Sequence, residues 1–340
     1  MTTMPRITAG VDTHRDTHVV AALDAIGALL GVESFAADAA GYRRALRWLQ
    51  NFGDVDRVGI EGTGSYGAGL TRFLMEAGVD VVEVDRPNRQ ERRRRGKSDP
   101  IDAVAAARAA LSGDAKGLAK TRDGNVEAIR VLRIARCSAR TERTRAINQM
   151  RNIICTAPEA LRAQFRGVGI RQLIARAAAL RAGARRDVLG ATKLTLRVLA
   201  RRVQAIDEEL RLLDAELKPL VAATAPQLVA RHGIGTDTAG ALLVAAGDNT
   251  DRLRSERSFA KLCGVAPLDA SSGLQQRHRL NRGGDRQANA ALWRIAMVRL
   301  SSDPATKDYL ERRIKDGHTK KEAIRCLKRY IAREVYELLR

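Results

Sequence analysis

The residues best suited to chemistry in this sequence are four acids, Asp12, Glu61, Asp99 and Asp102. The last two stand three apart in RGKSDPID (95–102), just ahead of the alanine-rich run AVAAARAAL. Ser98 or Asp99 can cap a helix whose first turn holds Pro100, because proline there gives up only an amide hydrogen that has no helical partner. Spacing i,i+3 puts both carboxylates on one helix face. Two acids held close repel each other, and one takes up a proton unless a cation shares the site. Four hard oxygen donors suit Mg²⁺ or Mn²⁺, and two such ions ~3.5–4 Å apart stabilise the attacking and leaving oxygens of a phosphoryl transfer. An acidic first turn is also what a helix dipole favours by itself. The basic tract DRPNRQERRRRGK just before the motif, with Arg92, Arg93, Arg94, Arg95 and Lys97, favours the site over the plain helix start.

The elements that must position these acids can be read in order. RITAGVDTHRDTHVVAALDAIGALLGVESF separates short apolar runs by DTHRDT and DAIG turns. The pattern predicts three strands over 6–12, 17–24 and 29–35 in an antiparallel meander, with Asp12 at the end of the first. A helix follows over 39–51, then a strand VDRVGIE ending on Glu61, a turn GTGSYG, a helix LTRFLMEAG and a β-branched strand VDVVEV. Such a mixed α/β domain can set Asp12 and Glu61 at neighbouring strand ends with Asp99 and Asp102 facing them. GTGSYG lacks the Lys-Ser/Thr end of a Walker loop and reads as a turn that lets substrate backbone approach Glu61. His14 and His18 flank the first turn; with no cysteine nearby and a bend between them, a surface or phosphate-facing role is preferred to a zinc site.

At 340 residues the chain suggests about two domains of ~150 residues. A formal charge of +21 and a pI near 10.7 point to a polyanionic partner, nucleic acid foremost. Only 4% of residues are aromatic, so backbone contact should outweigh base stacking. Cys137, Cys155, Cys263 and Cys326 form no CxxC pair, which argues against a zinc site and a disulfide framework and for a reduced, cytoplasmic protein. No apolar run approaches the ~18 residues of a membrane span, and MTTMPRITAG lacks the regions of a secretory signal.

The stretch 120–156 is helical in propensity, with arginines every three or four residues; it reads as a phosphate-tracking helix or a solvated face. Residues 157–191 read as a broken helical linker. Leu196, Leu199, Val203, Ile206, Leu210, Leu213, Leu217 and Leu220 then repeat every 3.5 residues on average, a coiled-coil seam. Its partner is a helix of the same chain or a second protomer, and its length favours a homodimer. Beyond Pro226, Gly233-Ile234-Gly235 followed by Thr236 and an apolar helix has the pattern of a helix-hairpin-helix. PLDASSG (267–273) precedes Arg277, His278, Arg279, Arg282 and Arg286. A Ser-Ser-Gly alone is usually a turn, but its place before a basic, glycine-containing loop suits an anchored phosphate.

AGVDTHRDTHVV, IEGTGSYG and RGKSDPIDA resemble the N-terminal domain of the DEDD transposases of bacterial insertion sequences, whose fold is similar to RuvC and RNase H and which are now described as bridge-RNA-guided recombinases. PLDASSG and NRGGDRQAN (281–289) resemble the Pro-x-x-x-x-Ser-Gly motif and basic glycine turn of that family's C-terminal domain. The resemblance implies a RuvC-like domain over 1–156, a helical linker and coiled coil over 157–222, and a mainly helical transposase domain over 223–340. It implies Asp12, Glu61, Asp99 and Asp102 as a metal-holding tetrad, with Ser272 as the nucleophile that forms a phosphoserine and Ser271 as the adjacent alternative. Implied partners are donor and target DNA, a structured guide RNA, and a homodimer or a tetramer built from it. Arg92, Arg93, Arg94, Arg95, Lys97, Arg277, Arg279 and Arg282 would contact nucleic acid, in a cytoplasmic, nucleoid-associated enzyme. Two rivals stay open: a metal-only nuclease or junction resolvase needs the tetrad and leaves Ser272 structural, and a non-catalytic nucleic-acid-binding protein needs neither.

Overall fold

The computed structural model describes residues 4–84, 98–115, 117–181, 183, 187–270 and 278–339. They form two compact units, one of residues 1–124 with 246–259, the other of residues 125–245 with 260–339. In the first, β1 (Arg6–Thr13), β2 (Thr17–Leu23) and β3 (Leu29–Ala36) make the expected meander, their ends within a residue or so of the sequence reading. β4 (Asp54–Glu61) pairs parallel with β1, β5 (Asp80–Val84) parallel with β4, and a two-residue β6 (Gly117–Leu118) closes the edge. The order β3-β2-β1-β4-β5-β6 is a six-stranded mixed sheet, consistent with an RNase H-like fold.

Alternation along the strands decides which face takes which helix. Ile7, Ala9, Val11, Val58 and Ile60 pack with Ala45 and Leu49 of α1 (Ala39–Gln50) and Leu70 and Leu74 of α2 (Ala68–Glu76). The opposite face carries α3 (Asp99–Leu111), whose alanines meet Val19, Ala21, Val82 and Val84. Gly10 and Gly59, register partners across β1 and β4, lie under this helix. A Cβ on Gly10 would fall 2.0 Å from the Ala107 nitrogen and 2.3 Å from the Ala103 carbonyl oxygen, so the glycines and alanines let helix backbone rest on sheet backbone. The segment 246–259 is tied in by Asn249, which donates to the Ala119 carbonyl, and by Arg252, which donates to that of Leu118.

The second unit is mainly helical: α4 (Asn125–Thr156), α5 (Ile170–Ala178), α6 (Val188–Thr224), α7 (Thr236–Ala246), α8 (Arg286–Ser302), α9 (Pro304–Lys315) and α10 (Lys320–Leu339), with a short antiparallel pair β7 (Leu268–Asp269) and β8 (His278–Arg279). α4 and α6 run antiparallel, tied by Arg136 to Asp214 and Arg143 to Asp207. Over part of its length the leucine seam takes a partner from the same chain. Leu196, Leu199 and Val203 are buried against Ala146, Ile147 and Met150 of α4 and Leu173 and Ile174 of α5, so the chain supplies its own cover there. A 3.5-residue repeat specifies an apolar stripe but not whose helix meets it. Among the described residues no helix is long and apolar enough to cross a membrane.

Candidate active site

β1 carries Asp12 to its carboxyl end, and the pairing of Val11 with Ile60 puts Asp12 beside Glu61 at the ends of adjacent parallel strands. The Thr13 hydroxyl donates to the Glu61 carbonyl at 2.8 Å and pins the two ends together. Ser98 holds the N-cap position of α3 in extended backbone without a side-chain capping bond, and Pro100 lies in the first turn. Ala103 and Ala107 contact Gly10, so the turn before them, with Asp99 and Asp102, lies toward Asp12, two residues along β1. Gly62, at φ +74°, begins the glycine-rich turn right after Glu61, its carbonyl accepting from the Ser65 amide at 2.9 Å.

The geometry draws three side chains together. His14 Nε2 lies 3.1 Å from Asp12 Oδ2 and 3.3 Å from Asp99 Oδ1, and one donor atom from each residue falls within 4.8 Å of the others. Burial pushes the Asp12 carboxyl above its usual value; His14 acts against this, and the charges of Asp102 and Asp99 add to it. Asp102, in the first turn of α3, is buried and Glu61, at the end of β4, is half-buried, but neither belongs to the three-donor cluster. A buried carboxylate under repulsion from two others, with an imidazole nitrogen alongside, is a donor set that fits a divalent cation. His14 was not expected here, although Asp-x-His at a strand end carries the cue: residues i and i+2 point to the same side. His18, expected in a surface or phosphate-facing role, is instead buried and stacked on Tyr42, and burial lowers its pKa.

Comparison with known proteins bears on both halves of the chain. Residues 9–156 match a family model described as a transposase, of the DEDD type of IS110, and residues 226–311 match one described as the transposase IS116/IS110/IS902 family. The chain belongs to this IS110 family of transposases. A relative, the insertion element IS110 uncharacterized 43.6 kDa protein of Streptomyces coelicolor, is 31% identical over 154 residues, which is 44% of this chain and 38% of that protein. The chain therefore aligns with well under half the length of that relative. The DEDD type implies use of a divalent metal, and the first match contains all four acids as well as His14.

The second IS110-family match contains the serine motif. Ser271, Ser272 and Arg277 lie outside the described residues, as do Arg92, Arg93, Arg94, Arg95 and Lys97. Arg279 on β8 and Arg282 in the loop before α8 are exposed. Three arginines of α4 are turned to acids of this chain, while Arg140 and Arg145 on the same helix are largely exposed. Arg133 donates to Asp237 at 2.7 Å, and Arg136 and Arg143 are engaged by Asp214 and Asp207. They bind this chain's own acids, which lie far away in sequence and so gave no local cue. Gly235 and Thr236 do open helix α7, as the helix-hairpin-helix pattern expected.

Proposed function

We propose that the chain is a DNA transposase that cuts and rejoins DNA through a covalent phosphoserine on Ser272, with a structured RNA as guide. The observation that carries the reading is the meeting of Asp12, His14 and Asp99 at the end of β1, beside Glu61 and Asp102. The tetrad Asp12, Glu61, Asp99 and Asp102 would hold Mg²⁺ or Mn²⁺. When bound, such an ion neutralises charge on the phosphate undergoing transfer. The chain's own chemistry is a balanced exchange: the Ser272 oxygen bonds to phosphorus, one strand oxygen leaves and takes a proton, and a DNA hydroxyl later reverses the attack and restores the serine. The phosphodiester bond is conserved in the protein–DNA link, so rejoining needs no ATP.

The same reading assigns Arg92–Arg95, Lys97, Arg277, Arg279 and Arg282 to phosphate contacts, and a net charge of +21 leaves room for a guide RNA beside the duplex. It keeps the three-part organisation over 1–156, 157–222 and 223–340, and a cytoplasmic, nucleoid-associated protein. A homodimer through α6 draws support from Leu194, Val198 and Leu212, which are exposed on a stripe apart from the buried seam. The test is recombination of DNA bearing the element's ends, by protein purified from its native host with its accompanying nucleic acid. Asp12→Ala, Asp99→Ala and Asp102→Ala should each abolish strand transfer while retaining DNA binding. Wild-type rates in these variants would remove the metal assignment.

A further inference from the structure

The second unit contains a pocket of about 510 Å³ between the loop before α8, the first turns of α8 and α10. Its walls include Arg282, Arg286, Trp293 and Lys328. Arg286, Asn289 and Trp293 recur at i, i+3 and i+7, so one stripe of α8 faces the pocket. Trp293 is 50% exposed, an uneconomical place for the largest apolar side chain unless something covers it. Lys328 is the reverse case, a cation only 8% exposed.

Lys328 is held there by a defined contact. The Asn289 side-chain amide donates to the carbonyls of Cys263 and Gly264 at 2.9 and 3.0 Å, which turns its oxygen toward Lys328, and Nζ donates to that oxygen at 2.8 Å. An ammonium has three donors, and this bond uses one. Among the described residues none of Arg282, Arg286 and Lys328 forms an ion pair. Asp285, the acid that also lines the pocket, accepts the Gln287 and Ala288 amides on its Oδ1 as the cap of α8. Burial and Arg325 both push the Lys328 pKa down, so the ammonium is destabilised as it stands. The wall is built to hold its shape: a Cβ on Gly284 would fall 2.7 Å from the Gly264 nitrogen and the Leu262 oxygen, and the Asp285 amide donates to that oxygen. Three cations without acid partners among the described residues, around one exposed indole, are complementary to a phosphate with a base attached.

We infer that this pocket binds one unpaired nucleotide of a nucleic-acid strand, its base against Trp293 and its phosphate among Arg282, Arg286 and Lys328. The inference rests on the nucleic-acid reading above and adds a single-strand site to a protein whose composition promised few stacking platforms. A base inside a duplex cannot enter without leaving its stack and its pair, which costs free energy. Strand exchange in recombination produces such unpaired nucleotides, in DNA or in a strand opened by RNA pairing.

The test measures binding of the full chain to labelled oligothymidylate, oligouridylate and a blunt duplex. Trp293→Ala should weaken binding to at least one single strand by about tenfold or more while duplex affinity stays within about twofold. The strand that loses more is the one the pocket serves. Trp293→Phe should keep most of the affinity. Lys328→Met, which removes a buried charge at similar volume, should lose single-strand affinity with an unchanged or higher melting temperature. Unaltered single-strand binding in a folded Trp293→Ala, or an equal loss on duplex, overturns the pocket. If wild type binds duplex DNA and recombines it in that event, the transposase reading survives; if wild type binds no nucleic acid at all, both fall.

Discussion

Gly10→Ala is the substitution that most directly links the fold to the acidic site. The added methyl would stand 2.0 Å from the Ala107 nitrogen, 2.3 Å from the Ala103 oxygen and 2.7 Å from the Ala107 Cα, whereas ordinary contact begins near 3.4 Å. Because all three neighbours are backbone, no side chain can rotate away, and α3 must retreat from β1 by about 1.4 Å, the difference between 3.4 and 2.0 Å. Overpacking of this kind costs ~1–3 kcal/mol, and backbone contact argues for the upper end. At ~2–4 °C per kcal/mol, melting should fall by about 10 °C. The same retreat moves Asp99 and Asp102 away from Asp12, while metal–oxygen distances tolerate only ~0.2 Å. Mn²⁺ at a hundred times its dissociation constant should stabilise wild type by ~2.7 kcal/mol and the variant by little. Gly113→Ala, just past the other end of the same helix at φ +73° with nothing within 4 Å, is the control: it should lose ~1–2 kcal/mol to left-handed backbone yet keep the full Mn²⁺ increment. Calorimetric melts with and without Mn²⁺ measure both. A Gly10→Ala protein with wild-type melting and a wild-type Mn²⁺ increment would refute the helix-on-glycine placement of the site.

Two other outcomes follow from charge. Asp237 faces Arg133, Arg136 and Arg294; burial raises its carboxyl, but these arginines outweigh burial and hold it below the usual range. Its contribution is therefore present above the unfolded pKa and is lost as pH falls through the lower folded one. Asp237→Asn, which leaves buried Arg133 without its counter-charge, should cost ~3 kcal/mol near neutral pH, and the gap from wild type should narrow in melts taken toward acid; a pH-independent gap contradicts the pairing. Changing Arg92–Arg95 to glutamine should make the fall of log affinity with log salt shallower by up to about four units, measured by titrating duplex binding against salt; an unchanged slope makes the tract a solvated run.

Apolar runs bounded by turn residues carried much of the first unit. The short apolar runs of β1, β2 and β3 between their DTHRDT and DAIG turns located the strand ends closely, and strand-end positions alone made Asp12 and Glu61 neighbours. The helix over Asp99 and Asp102 was legible from Pro100 and the alanines that follow. What those alanines are for was not, because the close approach they permit depends on Gly10 and Gly59, distant in sequence. For His14 the sequence favours a surface or phosphate-facing role over a zinc site, although its parity with Asp12 is in view. For the arginines of α4 and the leucine seam of α6 the sequence leaves the partner open for one reason: both patterns specify a charged or apolar stripe, while the partner is chosen by tertiary packing. Lys328 gave no local cue, since a lysine within a basic amphipathic helix reads as solvated until its burial is seen.

The measurement closest to the central claim is a denaturing gel of end-labelled DNA quenched midway through strand transfer. Wild type should leave labelled strand attached to protein, Ser272→Ala should remove that adduct while retaining DNA binding, and Ser271→Ala should have a smaller effect. Asp12→Ala should also give no adduct, because a serine hydroxyl is a weak nucleophile without activation. An adduct that persists in Ser272→Ala moves the nucleophile elsewhere, and cleavage by wild type without an adduct at any time contradicts the phosphoserine and leaves a metal-activated water in its place.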